Sequence, residues 1–123
     1  MNVFLWVLQA LLALAFGLAG VLKTTRPKEQ LAPQMPWVND FSAGTVKLIG
    51  AVEFLAALGL ILPAATGIAP ILTPLAATGL VITMIGAIIV HGRRGEAQGI
   101  VINVILLVLA AVVAWGRFGP YSL

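Results

Sequence analysis

The chain reads as an all-α transmembrane four-helix bundle, and three observations predict it. Of its 123 residues 61% are hydrophobic and only 9% are charged. A soluble domain carries roughly a quarter charged residues, and a water-soluble fold this small would leave too much of that apolar side chain exposed. The apolar residues also fall into four long runs without the alternation of a strand. Apart from Lys47, the basic residues lie beyond the ends of those runs.

The runs cover residues 3–22, 45–62, 71–90 and 98–116, inside a single membrane domain, 1–123. The first ends at Lys23, Arg26 and Lys28. It has no basic n-region and is longer than a usual signal-peptide core, so a retained helix is expected. The second stops at Pro63, and the third closes on His91-Gly-Arg-Arg. A spanning helix needs ~20 apolar residues. The first and third reach that length, while the second and fourth depend on their flanks.

Loop charges orient the bundle. Four crossings put loop 23–44 and the turn after residue 90 on one side, with Lys23, Arg26, Lys28, Arg93 and Arg94. The other side has only Arg117. The positive-inside rule then makes loop 23–44 cytoplasmic and both termini extracytoplasmic in a bacterial-type cell membrane. Trp6, Trp115, Phe118 and Tyr121 would lie at the outer interface, where amphipathic rings are favoured. Within loop 23–44, Pro27, Pro33 and Pro36 block a continuous helix. Trp37 and Phe41 would anchor an ordered connector or, alternatively, lie on the lipid as an interfacial turn.

Composition also excludes functions. The net charge of +3 suggests nucleic acid at first sight, but the basic residues form no stripe on one face, so no nucleic-acid partner is expected. There is no cysteine, which excludes thiol redox chemistry and thiolate metal sites on this chain. A single histidine is not a metal site, and no metal is expected. No phosphate-binding glycine loop, nucleophile–base pair or HExxH occurs, so no residue is assigned a catalytic role.

Glu53 is the most informative residue. Counted from the basic end of its helix it lies about 13 Å deep, near the bilayer midplane. A charge there costs at least ~2.5–3.5 kcal/mol, so it needs a partner or neutralisation. It is either a functional carboxylate or a hydrogen-bonded acid that fixes helix packing. By depth, Thr83 and Gln9 are its matched partners. Lys47, His91 and Asn103 could form a polar mouth leading to it. Each also has a simpler reading. Lys47 can snorkel to headgroups, His91 can cap a helix C-terminus, and Asn103 can hydrogen-bond between helices. Small residues at helical spacing (Ala13, Gly17 and Gly20; Gly79, Thr83 and Ala87) would let backbones approach closely, within the bundle or in a homodimer.

Phe16-Gly-Leu-Ala-Gly-Val-Leu-Lys23, Lys47-Leu-Ile-Gly-Ala-Val-Glu53 and Leu58-Gly-Leu-Ile-Leu-Pro63 resemble the DoxX-like family over essentially the whole chain. Leu75-Ala-Ala, Met84-Ile-Gly-Ala and His91-Gly-Arg-Arg resemble it too. The resemblance implies a four-helix membrane protein. Some relatives are subunits of a thiosulfate:quinone oxidoreductase, and others belong to oxidative-stress membrane complexes. By that resemblance the chain is at most an oxidoreductase subunit, with a quinone as the cofactor to test and a redox protein as partner. The absence of cysteine removes a thiol mechanism from it. The alternatives are a membrane-embedded binding or transport module for a small amphipathic molecule or lipid, and a structural assembly subunit without chemistry.

Overall fold

In the computed structural model, residues 2–33 and 35–122 are described. Four long helices, α1 (Asn2–Thr25), α3 (Ala43–Thr66), α4 (Leu72–Arg94) and α5 (Ala97–Phe118), are each long and apolar enough to cross a membrane. Between α1 and α3 lie a one-turn helix, α2 (Lys28–Leu31), and a 3-10 helix, Pro36–Asp40. Among the described residues there is no strand.

Every span outruns its apolar stretch. The second and fourth runs, short on hydropathy alone, become helices of 24 and 22 residues. At about 1.5 Å per residue either length crosses a hydrocarbon core of ~30 Å. Polar and small flanking residues extend them. Ser42 caps α3, its hydroxyl accepting from the Thr45 backbone N–H. Gly67 (φ +74°) and Gly95 (φ +69°) end α3 and α4 in the left-handed conformation that glycine adopts without strain.

The expected stop at Pro63 does not occur, because α3 continues to Thr66. Proline has no N–H, so it leaves the carbonyl four residues earlier unbonded. That carbonyl belongs to Gly59, and it accepts a hydrogen bond from the Thr73 hydroxyl of α4 at 2.9 Å. In lipid a free carbonyl is costly, so the proline creates the acceptor that fastens α3 to α4. Gly59 also lets α4 come close, since a Cβ there would lie 2.9 Å from that of Ala76.

The bundle is built from two extensive helix pairs, α1 on α3 and α4 on α5, joined by α3–α4 and α1–α5 contacts. The α1–α3 crossing is very close. A Cβ on Gly50 would sit 2.6 Å from that of Lys23, and one on Gly20 would sit 2.6 Å from the Gly50 carbonyl oxygen. Of the small-residue faces read from the sequence, α1's is therefore used inside the bundle. On α4, Gly79 meets nothing within 4 Å.

The apolar core occupies one half of the bundle. Leu8, Leu12, Phe16, Ala57, Leu60, Ala77, Leu80, Met84, Ala110 and Val113 form it, mostly toward the end that carries the termini. A small separate core of Leu31, Val38 and Val46 folds the 26–42 connector onto α3. Within it Trp37 and Phe41 meet edge-to-face at 5.8 Å.

Gly50→Leu drives a side chain into the α1 backbone and should lower stability by about 1–3 kcal/mol, the usual cost of overpacking. Gly79→Leu, at an open position, should cost far less. Thermal unfolding of both variants in detergent checks the difference. Thr73→Val should also destabilise, by about 1–3 kcal/mol, because it strips the Gly59 carbonyl of its donor.

Candidate functional site

The other half of the bundle, at the loop end, is not filled. There α1 and α3 stand apart from α4 and α5 around a partly open cavity of about 1010 Å³. Its walls are largely apolar (Phe16, Ile49, Met84, Val90 and Leu106 among them), and Met35, Pro36, Trp37 and Phe41 of the connector lie across it. Polar groups are few: Lys23 and Glu53 on one pair of helices, with Thr83, His91, Glu96, Gln98 and Asn103 on the other.

Glu53 is 2% exposed and accepts a hydrogen bond from the Lys23 ammonium at 2.5 Å. Neither depth-matched partner binds it. The Thr83 hydroxyl donates to the Gly79 carbonyl of its own helix, and Gln9 is engaged elsewhere. Lys23 was read as a loop cation that marks topology. It is instead a helical residue, 8% exposed, because α1 runs on to Thr25. The Gly20–Gly50 approach brings the two backbones close enough for a lysine and a glutamate thirty residues apart to meet. The ammonium also lies 5.1 Å from the centre of the Trp37 ring, a distance at which the ring face attracts a cation.

Opposite this pair, the His91 Nδ1 lies 2.9 Å from Glu96 Oε1, and the same oxygen accepts from Arg94 Nε at 3.2 Å. The His91 ring packs against Gly99, where a Cβ would fall 2.5 Å from Nδ1. Asn103 donates to the Gly99 carbonyl of its own helix at 2.8 Å.

Of the six residues singled out from the sequence, Glu53, Thr83, His91 and Asn103 line this one cavity. Lys47 does not. It is exposed and borders a separate groove with Lys23 and Arg26. The polar mouth therefore forms without it, and Lys23 is the basic group at Glu53. Gln9 belongs to the terminal half, where its amide donates to the Leu60 carbonyl at 2.6 Å and accepts from Arg117 Nε at 2.8 Å.

Arg117 is a second buried cation that the sequence reading left as a surface charge. It is 2% exposed and also donates to Asn2 Oδ1 and the Tyr121 carbonyl. This fastens α1 to the end of α5 beneath Trp6, whose ring centre is 5.8 Å from the guanidinium. Two paired polar residues on one face of the terminal ends, Asn2 and Gln9, were the available signal. Among the described residues no three His, Asp or Glu gather as a metal site.

Four apolar helices of this kind, with a paired lysine and glutamate inside, define a small integral membrane protein. The chain belongs to the DoxX-like family, whose sequence model matches residues 7–113. No curated protein and no solved structure matches it.

Removing one member of a buried ion pair strands the other charge, at a cost of about 3–5 kcal/mol, whereas replacing both by apolar residues is close to neutral. Lys23→Met and Glu53→Leu should each destabilise strongly, and the double variant should recover most of the loss. Unfolding of the three variants in one detergent measures that coupling.

Proposed function

We propose that this protein is a membrane-embedded binding subunit whose loop-end cavity takes a small amphipathic molecule with a neutral, hydrogen-bonding head group, a quinone being the class to test first. The cavity itself carries the reading: about 1010 Å³ of largely apolar space with a few convergent polar groups, the usual make-up of a small-molecule site.

The charges favour a neutral head group over a carboxylate or phosphate. Lys23 is matched by Glu53, and Glu96 by Arg94. A further anion would have to displace one of these carboxylates from its cation. A quinone ring needs apolar walls and donors for two carbonyl oxygens, and the residues present fit it. Lys23 has ammonium protons beyond the one given to Glu53, and Asn103 on the facing wall has a second amide proton beyond the one given to Gly99. When bound, a quinone would supply electron exchange; the chain's residues hold its ring and hydrogen-bond its oxygens. An electron-exchanging protein is the partner this reading calls for. Pairing of two copies is best sought at the open Gly79 face of α4, since Gly17 and Gly20 already face α3. A neutral lipid or other amphiphile is the second reading, supported by the partly open cavity.

The same proposal puts the loop end in the cytoplasm, on the strength of its basic residues. Cysteines introduced at exposed positions 30 and 65 should label from opposite sides of the membrane. Labelling of position 30 from outside intact cells would reverse the orientation.

Trp37 reports on the cavity directly. In a Trp6→Phe/Trp115→Phe background it is the remaining tryptophan. A short-chain benzoquinone should quench its fluorescence saturably in nanodiscs, and Ala87→Phe, which fills the cavity, should abolish the saturable part. Quenching that rises linearly and is indifferent to Ala87→Phe would be membrane partitioning alone and would end the proposal. Stronger saturable competition from a monoacylglycerol would favour the lipid reading.

A further inference from the structure

His91 has a hydrogen-bonding arrangement that cavity binding alone does not use. Its Nδ1 is fixed by Glu96 Oε1 at 2.9 Å, and that oxygen also accepts from Arg94 Nε. A carboxylate that already accepts from a guanidinium is ionised and can only accept. The proton of neutral His91 must therefore sit on Nδ1, which leaves a lone pair on Nε2. Gly99 holds the ring in this place, since any side chain there would collide with it. Nε2 is left with no partner among the described residues, on a side chain that is 16% exposed and lines the cavity.

We infer that Nε2 of His91 is the group that distinguishes a head group offering hydrogen-bond acceptors from one offering donors, and that its protonation reverses the preference. This rests on the cavity binding a quinone-type ring. Neutral His91, with its proton locked on Nδ1, presents a lone pair at Nε2 and holds the hydroxyl of a hydroquinone. Protonated His91 presents N–H at Nε2 and holds the carbonyl of a quinone. Glu96 acts as a positioning residue through Nδ1. The other charged groups at the site are Glu96 at the start of α5, which accepts from Arg94 of α4, and Lys23 with Glu53 across the cavity. Lys23 and Glu53 are bound to each other, which leaves the imidazole as the side chain free to change its hydrogen-bonding sense toward the head group.

Two measurements test this. His91 is the chain's one histidine, so ring ¹⁵N shifts of the tag-free protein report its tautomer without ambiguity. Nδ1–H is expected at high pH in the wild type, with a shift toward Nε2–H in Glu96→Ala. Separately, Trp37 quenching gives the affinity for the oxidised benzoquinone, and anaerobic competition gives that of its hydroquinone. Between the pH at which the ring ¹⁵N shifts show neutral His91 and that at which they show it protonated, the preference should move toward the oxidised form by about three- to tenfold, the factor one net hydrogen bond sets. In His91→Gln, whose amide both donates and accepts at every pH, the ratio should be flat. A wild-type ratio that does not move, a pH response retained in His91→Gln, or an Nε2–H wild type each overturns the inference while leaving cavity binding in place. Absence of saturable quenching at any pH would instead remove the binding reading, and this inference with it.

Discussion

The close crossing of α1 and α3 at Gly20 and Gly50 is the constraint on which the rest of the structure depends. In lipid no hydrophobic force draws helices together, so close packing and buried polar bonds must do so. The two glycines provide the approach, with no room for a side chain on either. That approach lets Lys23 reach Glu53, and the pair then offsets charges that would each be costly so deep in the bilayer. The glycines and the ion pair are one device. Without the close approach the charges would be stranded, and without the pair the glycines would bring together two backbones with little to hold them.

The remaining helices are fastened at the opposite end. Thr73 serves the carbonyl that Pro63 leaves free, Gln9 bonds to Leu60, and Arg117 ties Asn2, Gln9 and Tyr121 together. These links and the apolar core lie toward the termini. At the loop end α1 with α3, and α4 with α5, are each held pairwise, by the glycine crossing and by the tight turn at Gly95. Little ties one pair to the other there, so the space between them stays open and the connector lies across it. The cavity is thus a consequence of where the polar bonds are placed along the helices.

Much of the fold was legible in the sequence, because hydropathy acts through composition over whole segments. Helix ends were less so. α3 passes Pro63 because a threonine ten residues on in sequence, on another helix, repairs the defect, and no local pattern shows that. Glu53 stood out by depth alone, and three of the five residues chosen with it share its cavity. Its partner did not stand out. A lysine just past an apolar run reads as a topology signal, and only the rotation of α1 against α3 shows that it points inward. Lys47 has the opposite history: it lies on Glu53's own helix but faces outward. Azimuth separates these two lysines, and azimuth is weakly encoded when nearly every residue of a helix is apolar.

The same logic bears on what the cavity can hold. A membrane site that recognises an anion must keep a cation unmatched, at a cost in lipid. Among the described residues the buried cation without an acidic side-chain partner is Arg117, in the terminal half, where Gln9, Asn2 and a backbone carbonyl take Nε and Nη1 while Nη2 is buried without a partner. At the loop end each cation that touches the site already has its carboxylate. What remains there is hydrogen-bonding capacity without net charge: protons on Lys23, the free nitrogen of His91, and the amide oxygen of Asn103. Such groups discriminate among ligands by the pattern of donors and acceptors, which is the property that changes when a quinone-type ring gains or loses its hydroxyl protons.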